Sequence, residues 1–164
     1  MNFLRDWALN LKDPALSTTF LVRMPWAADN LKEIVVEKVT PTFSKTPATP
    51  RFNQGSNTYF PGITDIDGLT VSFYETYDFA VITWLRNWRE KVYNTSNGVY
   101  GMPKDYKKSI HVIQYGQGSN SKVADVKYQG CWPTDTAPLS LDYTDESGVI
   151  KVEGQFSVDS SVWR

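Results

Sequence analysis

Two stretches of this chain alternate apolar and polar residues with period two, and that pattern constrains the fold more than any other feature. Between Gly68 and Thr76, Leu69, Val71 and Phe73 alternate with Thr70, Ser72 and Tyr74. Between Val149 and Val158, Ile150, Val152, Gly154, Phe156 and Val158 take one side, and Lys151, Glu153, Gln155 and Ser157 take the other. Successive side chains of an extended strand point to opposite faces, so each stretch predicts a strand with one buried and one wet face. Ser17–Met24, Glu33–Thr40, Ser109–Tyr115, Val123–Gln129 and Leu139–Tyr143 read as further strands,. A Gly116–Asn120 turn separates one pair, and Asp145-Glu146-Ser147-Gly148 reads as a hairpin connection,. Six or seven strands with no βαβ alternation predict a mainly β fold, an antiparallel sandwich or barrel.

One flanking α-helix interrupts this series at about residues 78–94. Val81, Leu85, Trp88 and Val92 recur at helical spacing with Trp84 beside them, and Asp78 is placed to cap the N-terminus,. Arg86, Arg89 and Lys91 lie off the apolar stripe, and basic residues in the last turns suit the helix dipole,. Phe3, Trp7 and Leu11 form a second, shorter stripe that predicts a helix over Asn2–Leu11, ended by Asp13-Pro14,. So short a helix is marginal alone and must dock on something.

Residues 1–164 read as a single domain, a size that one core can serve,. Within it, Pro41–Pro61 stands apart. Pro41, Pro47, Pro50 and Pro61 are scattered among Thr, Ser, Asn and Gly, which predicts a long loop or edge arm rather than a central strand,. Loops of that length inside a domain are usually functional, and this one reads as an arm that orders on contact. Aromatic residues make up 14% of the chain, which suits sheet packing or large contacts with a partner,.

The net charge of -1 gives no nucleic-acid signature, yet the charge is uneven,. Trp84–Lys108 carries six basic residues against Glu90 and Asp105, whereas the chain from Cys131 onward carries six acids against Lys151 and Arg164. These are either two solvated faces or complementary surfaces that meet between subunits. The lone Cys131 excludes an internal disulfide and suits a reducing cytoplasm,. Charged residues break the N-terminal apolar runs, so no signal peptide is expected, and no stretch approaches the ~20 apolar residues of a membrane span.

Catalysis finds no constellation to rest on. His111 is the only histidine and lies within a strand, and Cys131 has no CxxC partner, so neither a metal cluster nor a nucleophile–base pair can be nominated,. The carboxylates are dispersed, and no glycine loop opens a helix as a phosphate cradle would. The chain is therefore expected not to be an enzyme and to use no cofactor, a small enzyme remaining the different-class alternative. Six tryptophans raise a second alternative, a carbohydrate-binding module. However, Trp7, Trp84 and Trp88 sit on helical stripes, where core or interface roles explain them better.

The second half carries a series of features in order: the Asp78–Asn94 helix, Pro103-Lys104-Asp105-Tyr106-Lys107-Lys108-Ser109, Gln114-Tyr115, Gly130-Cys131-Trp132-Pro133-Thr134, Leu139-Ser140-Leu141-Asp142-Tyr143 and a last strand closing near Val162-Trp163. This series resembles the tail tube proteins of contractile-tailed bacteriophages, a family related in fold to the type VI secretion tube protein. The resemblance runs from about Pro14 to Trp163 and is strongest from Leu69 onward. It implies a structural virion protein whose hexameric rings stack into a hollow tube, with strands lining the channel and the helix outside. It also implies a tail sheath, baseplate or tube-initiator and tail-terminator proteins as partners, a tape measure protein in the lumen, and DNA passing without sequence-specific binding. Assembly is expected in the host bacterial cytoplasm. A tube initiator, or the tube of a DNA-free injection system, shares the design.

Three sets of residues follow. Because basic contacts to phosphates would brake DNA, Asp125, Asp142, Glu153 and Asp159 are expected to face the lumen. Thr46, Pro47, Pro50, Arg51 and Asn57 are expected in an inter-ring stacking arm, with Phe52 set aside. Arg86, Arg89 and Lys91 are expected to face the sheath.

Overall fold

The computed structural model describes residues 20–27, 36–116, 121–136 and 149–164. The helix expected at Asn2–Leu11, the strand expected at Leu139–Tyr143 with Asp142, and the Asp145–Gly148 connection lie outside the described residues. In chain order the elements are β1 (Phe20–Arg23), β2 (Val36–Thr40), β3 (Ser44–Lys45), β4 (Ala48–Asn53), β5 (Ser56–Pro61), β6 (Asp65–Ile66), β7 (Leu69–Tyr74), α1 (Ala80–Val92), β8 (Tyr93–Asn94), β9 (Val99–Tyr100), α2 (Pro103–Tyr106), β10 (Lys108–Tyr115), β11 (Lys122–Thr136), β12 (Lys151–Ser157) and β13 (Ser160–Trp163).

The principal sheet is antiparallel throughout, in the order β1-β10-β11-β12-β7-β2, with β13 also paired to β11. The mainly β, antiparallel class expected from the alternation is the class observed. β11 organises it. Its first half pairs with β10 and β13, and its second half pairs with β12, so one 15-residue strand serves two halves of the sheet. The sequence reading stopped this strand at Gln129. The chain instead bends at Gly130, whose φ of 68° lies in the left-handed region. A side chain there would be strained and would also run into the Asp159 carboxylate,.

The alternating segments behave as their period requires. Leu69, Val71 and Phe73 of β7 and Val152 and Phe156 of β12 are buried, facing Val81, Leu85 and Trp88 of α1 across one core. Full burial of each such side chain contributes about 1.5–3 kcal/mol. Trp26 stacks on Trp84 at 5.4 Å between ring centroids, and Trp84 lies 5.5 Å from Trp88. Their polar edges are satisfied: the Trp26 indole N–H donates to the Ser109 carbonyl at 2.8 Å, and that of Trp88 to the Tyr106 carbonyl at 2.7 Å,. The tryptophans on the helix stripe are thus core residues, as their spacing implied.

The helix begins differently from the expectation. Asp78 is not its cap. Phe79 occupies the N-cap position with φ 54°, and its side chain makes no capping bond. Glu75, at the end of β7, reaches forward instead: its Oε1 accepts from the Val81 N–H at 3.0 Å and its Oε2 from the Ile82 N–H at 2.9 Å. Thr76 Oγ1 accepts from the Ala80 N–H at 3.1 Å and donates to Asp78 Oδ1 at 2.6 Å. A carboxylate on the first free N–H groups satisfies orphan donors and complements the dipole together.

Candidate assembly surfaces

The proline-rich arm is a two-stranded β-ribbon rather than an irregular loop. β4 pairs only with β5, from Ala48↔Pro61 to Asn53↔Ser56, and Gln54-Gly55 closes the hairpin. Both turn residues have positive φ, 43° and 90°, the geometry of the tight two-residue turn that matches strand twist,. Prolines fit because a two-stranded ribbon leaves every second backbone position outside the ladder. At its base Thr46 and Thr64 share a hydroxyl hydrogen bond of 2.7 Å, Gly62 N–H donates to the Pro47 carbonyl at 2.7 Å, and β3 pairs with β6.

The register sorts the ribbon's side chains into two unlike faces. Thr49, Arg51, Asn53, Ser56, Thr58 and Phe60 share one, and the Arg51 guanidinium lies 5.6 Å from the Phe60 ring centre. Ala48, Pro50, Phe52, Asn57, Tyr59 and Pro61 share the other. Phe52 is 78% exposed and Tyr59 64%, so this second face is apolar and open to solvent. The sequence reading named Pro50 and Asn57 but set Phe52 aside. Only the pairing register, which no local pattern shows, places Phe52 beside Tyr59.

A second surface is the polar face of β2, β7 and β12, opposite the helix-covered core. Glu153 pairs with Ser72, which pairs with Lys38, and Gln155 pairs with Thr70 and Asp135. Lys151 makes an ion pair of 2.6 Å with Glu37, a contact that raises its pKa. This face therefore carries Glu37, Glu153 and Asp135 against Lys38 and Lys151, close to neutral and rich in hydroxyls. Of the acids singled out earlier, only Glu153 stands on it. Asp135 was missed because it lies beyond the bend where the strand was thought to end.

The other two described acids are engaged elsewhere. Asp159 forms an ion pair of 2.5 Å with Lys107 beside Gly130, and that hydrogen bond raises the Lys107 pKa. Asp125 lies half-buried on the other half of the sheet, opposite Ile113, with its Oδ1 3.6 Å from His111 Nδ1. The structure thus does not bring the four expected acids together. Cys131 is buried, and burial pushes its thiol up to about 12, which makes it a packed, unreactive group at neutral pH,. Among the described residues no group of three or more His, Cys, Asp or Glu could hold a metal ion, and no helix is long and apolar enough to cross a membrane.

The third surface is the outer side of α1. Arg86, Arg89 and Lys91 are exposed there. Arg89 is already engaged, since its guanidinium donates to the Pro133 and Thr134 carbonyls of β11. Arg86 and Lys91 supply the outward charge. Beside them the β8–β9 hairpin presents Tyr93 against Tyr100, with ring centroids 4.8 Å apart, next to a groove floored by Trp132.

Comparison with known proteins is consistent with these surfaces. The tail tube protein gp19 of Enterobacteria phage T6 is 32% identical over 59 residues, and that of phage T4 is 30% identical over the same length. Each alignment covers 36% of this chain and 36% of the relative, so the matched stretch spans about a third of these curated proteins. Among solved structures, the fold matches a sheath/tube terminator of the PVC extracellular contractile injection system with TM-score 0.73 at 14% identity, covering 94% of this chain and 99% of that one. It also matches Hcp1 from Flavobacterium johnsoniae with TM-score 0.56 at 11% identity, covering 88% and 94%. The family model described as phage tail tube protein matches residues 6–161, and the chain belongs to that family of structural, non-enzymatic proteins.

Proposed function

We propose that this protein is the repeating subunit of a contractile tail's inner tube, in which hexameric rings stack around a channel that conducts DNA into the host. The observation that carries the reading is the pair of unlike sheet edges. Among the described residues, β1 pairs only with β10 and β2 only with β7, so each offers a row of backbone groups to another chain. Exposed edges are templates for strand pairing, and a ring in which β1 of one copy meets β2 of the next closes them all. The near-neutral polar face, with Glu153 and Asp135, then lines the lumen. It offers DNA no cluster of cations, which lets a polyanion slide.

In this arrangement α1 lies outside, and Arg86 and Lys91 face the sheath. The apolar ribbon reaches the adjacent ring. Baseplate or initiator and terminator proteins complete the two ends, a tape measure protein fills the lumen before ejection, and assembly takes place in the host cytoplasm. A terminal ring of the same fold is the second reading, favoured by the match to a tube terminator.

Negative-stain microscopy of purified full-length protein tests this directly. Long tubes with a central channel are the expected result, single rings would select the terminal-ring reading, and monomers at all concentrations would refute both. Deleting Thr46–Asn57 is expected to leave rings or monomers without tubes.

A further inference from the structure

The ribbon's apolar face needs a receptor, and the sheet register shows where one lies. β2 ends at Thr40, which pairs with Thr70 at the start of β7, so the arm leaves the sheet at that end. β7 then runs to Tyr74, paired with Lys151, and the Glu75–Phe79 turn follows at the opposite end. Six residues at about 3.3 Å each separate the two ends by about 20 Å.

The turn is the ribbon's counterpart in shape of surface and in charge. Tyr77 is fully exposed, Phe79 is 41% exposed, and Val149 is exposed beside them, since Glu75 N–H bonds to the Ile150 carbonyl. Between Pro41 and Thr64 the only charged residues are Lys45 and Arg51, and between Tyr74 and Leu85 they are Glu75 and Asp78. The Thr76 hydroxyl holds the Asp78 carboxyl below its usual range, so it is anionic throughout the neutral region. One end of the sheet is thus apolar and cationic, and the other is aromatic and anionic.

Resting on the reading of the arm as an inter-ring contact, we infer that the Phe52–Tyr59 face of one copy docks on the Tyr77–Phe79 turn of a second copy in the next ring. The contact is heterologous, joining unlike patches at opposite ends of the subunit. Such a contact does not close on itself and propagates as an open stack. The charges set the polarity of addition, since ribbon-to-ribbon and turn-to-turn encounters each oppose like charges.

Cross-linking the full-length protein tests the pairing. Phe52→Cys and Tyr77→Cys are placed in one chain, at side chains that are exposed and outside the core, while the native Cys131 is buried and silent. A short bismaleimide added to assembled protein should give a denaturing-gel ladder extending well beyond six subunits, and neither single variant should. A ladder that stops at six would place the contact within a ring and overturn the inference. Tubes without any ladder would also overturn it, and if the Thr46–Asn57 deletion still abolished tubes, the inter-ring reading would survive with a different receptor.

Charge exchange provides a second measurement should the cysteine pair impair assembly. Arg51→Glu and Asp78→Lys should each raise the concentration for half-maximal assembly about fivefold or more at low salt, and the double variant should return it to within about twofold. Two impaired single variants with no recovery in the double would reject the pairing.

Discussion

Replacing Glu75 with alanine isolates the least expected element of the fold, a helix capped from the preceding strand. The Glu75 carboxylate accepts three backbone N–H bonds, from Thr76 at 2.9 Å, Val81 at 3.0 Å and Ile82 at 2.9 Å. Loss of an N-terminal cap costs about 1 kcal/mol, with a range up to about 2, and removing a negative charge from the N-terminus adds about 0.3–1 kcal/mol. The sum is about 2 kcal/mol, because water can reach the outer of the freed donors but Val81 is itself buried,. For a domain of this size each kcal/mol moves Tm by about 2–4 °C, so Glu75→Ala should lower it by about 4–8 °C. Glu75→Gln keeps an acceptor but loses the charge, and should fall about halfway. Circular dichroism melts at one fixed protein concentration, below that of assembly, supply the readout. Asp78→Ala is the decisive control. Asp78 accepts only the Thr76 hydroxyl and bonds to no helical N–H, so its removal should shift Tm far less. If Asp78→Ala proved the more damaging of the two, the capping assignment would be wrong.

Gly130→Ala forces a Cβ into a left-handed backbone and onto the Asp159 carboxylate, so it should cost about 1–3 kcal/mol in a urea melt,; an unchanged midpoint would mean that β11 can bend elsewhere. Cys131 should resist a thiol reagent at pH 8 in the native state and react fully once unfolded. Because the native thiol titrates near 12 rather than at the ordinary 9.0, the folded state holds that proton more tightly. Its contribution is therefore complete below pH 9 and is lost as pH rises from 9 towards 12, at no more than about 1.4 kcal/mol per pH unit, a slope that Cys131→Val should remove. Reversing Arg86 and Lys91 to Glu should weaken sheath binding in a co-sedimentation assay while bare tubes form normally; tubes lost along with the sheath would move these residues into the tube's own contacts.

The parts of this fold that were legible in the sequence are those governed by local periodicity. The burial of Leu69, Val71 and Phe73 and of Val152 and Phe156 follows from a period of two, and that of Val81, Leu85 and Trp88 from the helical stripe. What could not be read depends on register or on a single backbone angle. A strand that turns at Gly130 looks finished at Gln129, because a glycine ends a hydrophobic pattern whether or not pairing continues. The Gln54-Gly55 hairpin lacks the Asn-Gly or Asp-Gly pair that usually marks such a turn, so its flanking prolines suggested a loop. The lumen set suffered similarly. Glu153 lies in an alternating segment and was placed on the correct wet face, whereas Asp159 passes the same parity test but is drawn to Lys107 across the bend. Charge at a single position is legible, but the partner that neutralises it is not.

Taken with the family, these details bear on why one small domain can build a polar tube. A closed dimer needs one self-complementary patch, whereas a tube needs unlike surfaces in three directions. Here the sheet ends differ, with a cationic apolar ribbon at one and an anionic aromatic turn at the other. The sheet edges differ as well, being the separate strands β1 and β2, and so do the faces, one covered by α1 and one lined by Ser72, Thr70, Gln155 and Glu153. Each asymmetry has a separate physical origin: a hairpin insertion, an open antiparallel order, and a period-two pattern. A change to one should therefore leave the others standing, so arm variants ought to retain rings and helix-surface variants ought to retain tubes. Variants that lost rings and tubes together would show that the three directions share a common support, and the bend at Gly130, where Asp159, Lys107 and both halves of the sheet converge, is the place in the fold that could provide it.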